Sequence, residues 1–372
     1  MFKRVNEILN VNDSNLKLFE EIYNDKYLNE NSLYNLLDDC YVLNDNQLDD
    51  LKWILQTDSD FESDENTKIS IMINTYNRLE ELKKCLNSIF MQTYSNYEII
   101  IIDDNSTDGT EEYCKELSND ERVKYFKNKE NKGQAYGKKA YFSKGTGKYL
   151  IFCDDDDYYI DRDFFAKAVK ILNSKSCINC VCANSLIKYE DKNEYNFEKL
   201  NFKNMISAYE YLENFQLKYR KPNSTFPAVF RRETLRKNGI LEMDMINDSS
   251  IYLRSLISNG RVYLLEDVVG IYRIHDSNVT KNLKVDFVLE NINEKKKVYE
   301  FLKEYAKEIN SEDWLEKQVS FTIYYYLTNS NCSRNDLKKL IKWCIKNMDR
   351  KKVKTILKIF KIQIKKKFGE RK

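Results

Sequence analysis

The sequence is short of several things, and each shortage removes a class of protein. No apolar run approaches the ~20 residues needed to span a bilayer, so the chain reads as soluble or peripheral. The amino-terminal stretch has no continuous apolar core of the kind a secretory signal carries. Nine cysteines, an odd number, then suit reduced thiols in the cytoplasm better than a disulfide framework. The tightest cysteine group, Cys177, Cys180 and Cys182, is not followed by a second Cys or His pair at zinc-binding spacing, so buried strand thiols are expected there. No G-x-G-x-x-G follows the first predicted strand, which leaves a dinucleotide site unsupported. Gly145-Thr-Gly-Lys imitates part of a P-loop. However, Phe142 stands where its first glycine belongs, and Tyr149 follows the lysine. No internal repeat is present. Lys+Arg (61) and Asp+Glu (59) nearly cancel, so overall charge points to no polyanionic partner.

Apolar residues make up 42% of the chain, enough for a sizeable core and against disorder. Charge is unevenly placed. Residues 1–65 carry 16 acids against 5 bases, and residues 341–372 carry 13 bases against 2 acids. Three regions are expected: an acidic helical one over 1–64, an α/β domain over 65–284, and a basic helical one over 285–372. In the first, Leu16, Phe19, Ile22 and Tyr23 recur at helical spacing, as do Leu48, Leu51, Trp53, Ile54 and Leu55. In the second, strands and helices alternate. Strands are predicted over 68–74, 97–102, 123–126 and 148–153, and helices over 79–90, 110–117 and 134–144. Continuous apolar strands such as Tyr97-Glu-Ile-Ile-Ile-Ile are buried on both faces. Alternation at this length predicts a doubly wound, mainly parallel sheet with helices on both faces. Ligands of such sheets bind beyond the carboxyl ends of the strands, where Thr75–Arg78, Asp103–Ser106 and Asp154–Asp157 fall.

The run Asp154–Asp157 ends a buried strand. Four adjacent carboxylates repel one another, and a divalent cation relieves that cost. Hard carboxylate oxygens suit Mg²⁺ or Mn²⁺. A solvated acidic turn explains the run equally well when it is taken alone. Asp103-Asp104-Asn105-Ser106-Thr107-Asp108-Gly109-Thr110 delivers two acids at the end of a second strand, followed by a turn and a helix start.

Together, Ile71-Met-Ile-Asn-Thr-Tyr-Asn-Arg, the stretch from Cys85 to Asp103-Asp-Asn-Ser-Thr-Asp-Gly-Thr, Asn131-Lys-Gly-Gln-Ala and Gly147-Lys-Tyr-Leu-Ile-Phe-Cys-Asp-Asp-Asp-Asp resemble family 2 inverting glycosyltransferases with the GT-A fold. The likeness covers roughly 68–280. It implies transfer of a hexosyl or N-acetylhexosaminyl group from a nucleotide-sugar donor, with a divalent metal, Mn²⁺ or Mg²⁺. Thr75 and Tyr76 would line the base pocket, and Arg78 would lie near base or phosphate. Asp104 would accept from uracil N3–H, which favours a UDP-sugar, while Asp103 would be structural. Asp154 and Asp156 match the two acids of the family's D-x-D motif, with Asp156 on the metal and Asp154 on ribose or the metal's water shell. Asp157 is a supporting candidate. Lys138 stands where family members commonly have an Arg and could touch phosphate only as a point charge. Asn247-Asp248 resembles the family's acidic pair, whose second member is the general base; here its neighbour is neutral. Asp248 could otherwise be a helix cap. Arg254 falls where the family has an Arg in the same helix, for packing as much as for catalysis. His275, the one histidine, falls where some members supply a metal or diphosphate contact.

The acceptor is expected among surface polysaccharides, lipid-linked glycans or protein Ser/Thr. Another class of function is a catalytically silent GT-A module that binds a glycan or partner; intact Asp154, Asp156 and Asp248 argue against it. A sugar-nucleotide pyrophosphorylase would need a Gly-rich, Arg-bearing loop after the first strand, where this chain has Asn74-Thr-Tyr-Asn-Arg. The basic segment Val353–Phe368 is amphipathic. It either packs on the protein or lies on an anionic membrane surface, so residues 341–372 are a candidate peripheral contact at the inner face of the membrane. The acidic amino-terminal helices could dock an acceptor, a partner or a second subunit.

Overall fold

The structure, a computed structural model, describes residues 14–41, 66–133, 142–243, 246–275, 283–307, 309–330, 333–347 and 358. The expected helix around Leu48–Leu55, most of the polar linker expected over 57–67, most of the expected helix 134–144, Lys138 and nearly all of 353–368 lie outside these residues. The chain forms two compact units. One spans 1–212 and 219–274, and the other 213–218 and 275–372.

The first unit is built on β1 (Ile69–Thr75), β2 (Tyr97–Asp103), β3 (Val123–Lys127) and β4 (Tyr149–Asp154), which are parallel in the order β3-β2-β1-β4. Every residue of β1 and β2 is buried, as their unbroken apolar runs require. The helix α1 (Ser14–Asn24) is followed by α2 (Glu30–Tyr41), and α3 (Leu79–Phe90) links β1 to β2. α3 buries Leu82, Cys85, Leu86 and Ile89, a stripe at helical spacing, against Ile71, Ile73, Ile99 and Ile101. α4 (Thr110–Leu117) and α5 (Phe164–Ser174) complete that layer. On the opposite face, Phe152 meets Phe230, whose ring packs 5.3 Å from that of Tyr252.

The mainly parallel sheet expected from the alternation is present, and further strands that the alternation did not announce, some parallel to it and some antiparallel, extend it. These are β5 (Tyr158–Tyr159), β6 (Ile178–Tyr189), β7 (Glu194–Phe197), β8 (Met205–Ser207), β9 (Ala228–Arg231) and the long β10 (Arg261–Ile274). β9 runs antiparallel between β4 and β6, while β6 and β10 are parallel. Cys180 and Cys182 are buried in β6 as expected. Cys177 departs from that expectation, because it precedes the strand and is exposed.

The described amino-terminal helices pack into the first unit. Leu16, Phe19, Leu33 and Leu37 share a core with Tyr158, Ile160, Leu186 and Ile271. Asp39 is the polar anchor of this contact. It accepts from Tyr195 Oη at 2.8 Å and Lys188 Nζ at 3.1 Å, and also from Tyr158 and Lys84. Burial opposes its charge, yet Lys84 and Lys188 hold its carboxyl down at about 2.

The helices α6 (Ala208–Glu213), α7 (Arg232–Lys237) and α8 (Asp248–Leu256) complete the first unit and its edge. The second unit contains α9 (Val285–Tyr305), α10 (Ser311–Asn329) and α11 (Arg334–Asn347), packed around Val288, Ile292, Ile323 and Leu340. Gln318 donates to the Phe215 carbonyl at 2.6 Å, which ties residues 213–218 to this unit. Among the described residues no helix is long and apolar enough to cross a membrane.

Candidate functional site

The sheet turns back on itself between β1 and β4, since α3 leads from β1 to β2 on one side while β4 lies on the other. The carboxyl ends of strands flanking such a reversal open into a crevice. Register brings the motif ends level there: Thr75 pairs with Asp103, and Asn74 with Asp154.

The loop after β1 is fastened to the loop after β2. Asn77 N donates to Ser106 Oγ at 2.9 Å, Thr107 N to Asn77 Oδ1 at 2.8 Å, and Leu79 N to Asp108 Oδ2 at 3.0 Å. Thr75 is buried, Tyr76 is 44% exposed, and Arg78 caps the start of α3. Asp103 is fully buried, accepting from Ser106 N at 2.7 Å and Tyr125 Oη at 2.6 Å. Asp104 accepts from Asn128 Nδ2 at 3.0 Å, Lys132 N at 2.8 Å and Gly133 N at 2.6 Å. Through it the Asp-Asp and Asn131-Lys-Gly motifs join. Gly133 sits at φ +79°, where a side chain would be strained. A carboxylate offers about four acceptor positions, and these three donors leave room for a further one.

The acidic run divides its labour. Asp157 N closes a turn onto Asp154 O at 3.3 Å. Asp155 is 1% exposed; burial, then Asp156 beside it, pushes it up to about 7 despite the Arg78 guanidinium. Asp157 is equally buried. Burial and the neighbouring Asp156 and Asp154 push it well up, and it accepts from Arg273 N at 3.2 Å. Its Oδ2 has no hydrogen-bond partner among the described residues. Asp154 is half-buried and accepts from Ser224 Oγ at 3.4 Å. Asp156 takes Arg78 Nη1 at 2.8 Å, the same nitrogen reaching Asp155 at 3.0 Å.

Among the described residues no three ligating side chains gather into a cation cage. Asp154 and Asp156 carry the hard carboxylate oxygens that suit Mg²⁺ or Mn²⁺, an ion commonly held by one or two carboxylates plus substrate phosphates. His275 directly follows β10 and groups with the helical unit.

Asn247, not Asp248, is the cap of α8. Its side chain accepts from Ser250 N at 3.0 Å, and its own N–H donates to Ser250 Oγ at 3.0 Å. The neutral residue in the expected acidic pair thus has a local job, and Asp248 is left half-buried in the first turn. There the helix dipole favours a negative charge. One turn on, and on the same face, Tyr252 donates to the Ser224 carbonyl at 2.9 Å. Tyr252, Ser224 and Asp154 therefore form one hydrogen-bonded series that reaches α8, the helix whose first residue is Asp248. Arg254, 7% exposed, donates to the Asn238 carbonyl at 2.9 Å and holds α8 to the segment after α7. Sequence reasoning missed Ser224 and Tyr252, since neither lies in a motif and Ser224 is 70 positions from Asp154.

Residues 70–259, just over half of the chain, match the profile of glycosyl transferase family 2. An uncharacterized glycosyltransferase of Rickettsia conorii is 41% identical over 98 residues, 26% of this chain and 16% of that protein. The GalNAc(5)-diNAcBac-PP-undecaprenol beta-1,3-glucosyltransferase of Campylobacter jejuni is 28% identical over 213 residues, 56% of this chain and 65% of that one. The chain thus spans less than two thirds of the length of these relatives. Residues 1–349 of S. aureus TarS, solved with UDP-GlcNAc, superpose with a TM-score of 0.57 at 14% identity, covering 74% of this chain and 79% of that one. That likeness concerns the fold, the GT-A type of α/β architecture. On the family profile, the chain belongs to glycosyl transferase family 2.

Proposed function

We propose that the protein transfers a sugar from a nucleotide-sugar donor, a UDP-sugar favoured, to an acceptor hydroxyl with inversion at the anomeric carbon. The observation that supports this reading is the hydrogen-bonded series Tyr252–Ser224–Asp154, which ties α8, the helix that Asp248 begins, to the end of β4. Asp248 takes the acceptor hydroxyl proton as that oxygen attacks the anomeric carbon. The bond to the nucleoside diphosphate breaks on the opposite face. A positioned base of this kind contributes about 10²–10⁴ in rate. Thr75, Tyr76 and Asp104 hold the base and Asp154 the ribose side, while Asp156 and Asp154 are the proposed ligands of Mn²⁺ or Mg²⁺. Such a cation offsets the charge that builds on the leaving diphosphate.

For the acceptor, the name of the Campylobacter relative, which specifies a glycan on PP-undecaprenol, supports a lipid-linked glycan over a protein hydroxyl. A lipid-linked acceptor agrees with peripheral association through residues 341–372. In a vesicle co-sedimentation assay, removing 341–372 should abolish binding to anionic vesicles; equal binding by both forms would end that idea.

The deciding experiment is a donor-hydrolysis screen across UDP-sugars with Mn²⁺, repeated on Asp248→Asn. One UDP-sugar should turn over. Asp248→Asn should lose transfer by at least about a hundredfold and still bind UDP. Near-normal turnover by the variant would remove Asp248 as base, and no turnover of any donor by the unaltered protein would favour a silent binding module.

A further inference from the structure

Arg78, expected near base or phosphate, contacts the acidic run in this structure. Its Nη1 lies 2.8 Å from Asp156 Oδ2 and 3.0 Å from Asp155 Oδ1, and Asp154 adds to the attraction. The guanidinium therefore stands against the carboxylate assigned to the cation. Two positive groups cannot share one carboxylate oxygen at contact distance without strong repulsion. We infer that Arg78 is a built-in counter-ion of the acidic run, which a divalent cation displaces from Asp156 and which a nucleoside diphosphate then takes up. This rests on the metal-assisted reading above.

Three observations support it. The contact is accessible: the Arg78 side chain is 19% exposed, while Asp155 and Asp156 are nearly buried. The arginine thus keeps an edge open to solvent while holding both acids. The backbone, by contrast, is pinned on both sides of it, at Asn77 and Leu79, to the loop after β2, so the side chain moves while its anchor stays. Finally, the displaced group has the right chemistry for the other ligand. A guanidinium presents a planar fork that matches phosphate oxygens, and the N-terminus of α3, which Arg78 caps, also favours an anion. Without a diphosphate, leaving Asp156 costs the arginine that ion pair. With one, it exchanges one anion for another. Cation and diphosphate should consequently bind cooperatively, with Arg78 as the positioning residue that couples them.

The test measures Mn²⁺ affinity by electron paramagnetic resonance and calorimetry, with and without UDP, on the unaltered protein, Arg78→Met and Arg78→Lys. The unaltered protein should bind Mn²⁺ weakly alone and at least tenfold more tightly with UDP. Arg78→Met should bind Mn²⁺ alone about tenfold more tightly than the unaltered protein, and UDP should raise that affinity by a smaller factor than it does in the unaltered protein. Arg78→Lys, which keeps the charge but loses the fork, should fall between and guards against a misfolded Met variant. If removing the arginine leaves Mn²⁺ affinity without UDP unchanged, or leaves the coupling intact, the counter-ion role is overturned while the metal site stands. If no form binds Mn²⁺ even with UDP, the metal-assisted reading itself fails and takes this inference with it.

Discussion

Ser224 is hydrogen-bonded to Asp154 across 3.4 Å, although 70 positions separate them. Its carbonyl simultaneously accepts from Tyr252, a fully buried residue of the helix that begins at Asp248. The same serine therefore sets the end of β4 and the height of α8. Ser224→Ala should lower kcat roughly tenfold, because a small misplacement of a reacting group is enough for that, and should leave UDP affinity near its original value. Stopped-flow or steady-state kinetics with the identified donor would measure the split; an unchanged kcat would show that the contact does not position the site.

At the opposite ends of the parallel strands, Glu98 holds the turn before β4. It is 3% exposed and accepts from Ser70 Oγ at 2.7 Å, Thr146 Oγ1 at 2.9 Å, Gly147 N at 3.2 Å and Lys124 Nζ at 2.6 Å. Burial opposes its charge, but Lys124 and these donors bring it from 4.5 down to about 2. A carboxyl depressed in the folded state stabilises fully above its unfolded value, and that contribution is lost as pH falls from about 4.5 toward 2. Urea unfolding should therefore show stability dropping across that window, and Glu98→Gln should flatten the drop while costing about 2–4 kcal/mol at neutral pH. An identical acid limb in the variant would count against this assignment.

Asp39 joins α2 to the sheet through Tyr158, Tyr195, Lys84 and Lys188. Asp39→Ala leaves Lys188, itself 8% exposed, without that carboxylate. It should destabilise the first unit by about 3–5 kcal/mol, and hydrogen exchange should rise first in α1 and α2. Loss of protection spread evenly over β1–β4 would argue that the amino-terminal helices are not separately released.

How much was legible beforehand varies along the chain. α3 and α4 appear over the residues their periodicity marks, and β1 to β4 within a residue of theirs, because a stripe at 3.6 or an unbroken apolar run is a local property of the chain. Beyond the buried strand expected around Cys177–Cys182, the strands after residue 175 were not foreseen. In β6 any alternation is masked by burial on both sides, since eleven of its twelve residues are buried.

By itself, then, the sequence determined the alternating strands and helices, the acids that end them and, through linked motifs, the family. Those depend on neighbours in the chain. Tertiary structure alone decided which acids burial pushes upward, that Arg78 rests on Asp155 and Asp156, and that Ser224 meets Asp154. Each of these depends on desolvation or on a partner many positions away, and four adjacent aspartates look alike until the fold gives every one of them a different dielectric and a different neighbour.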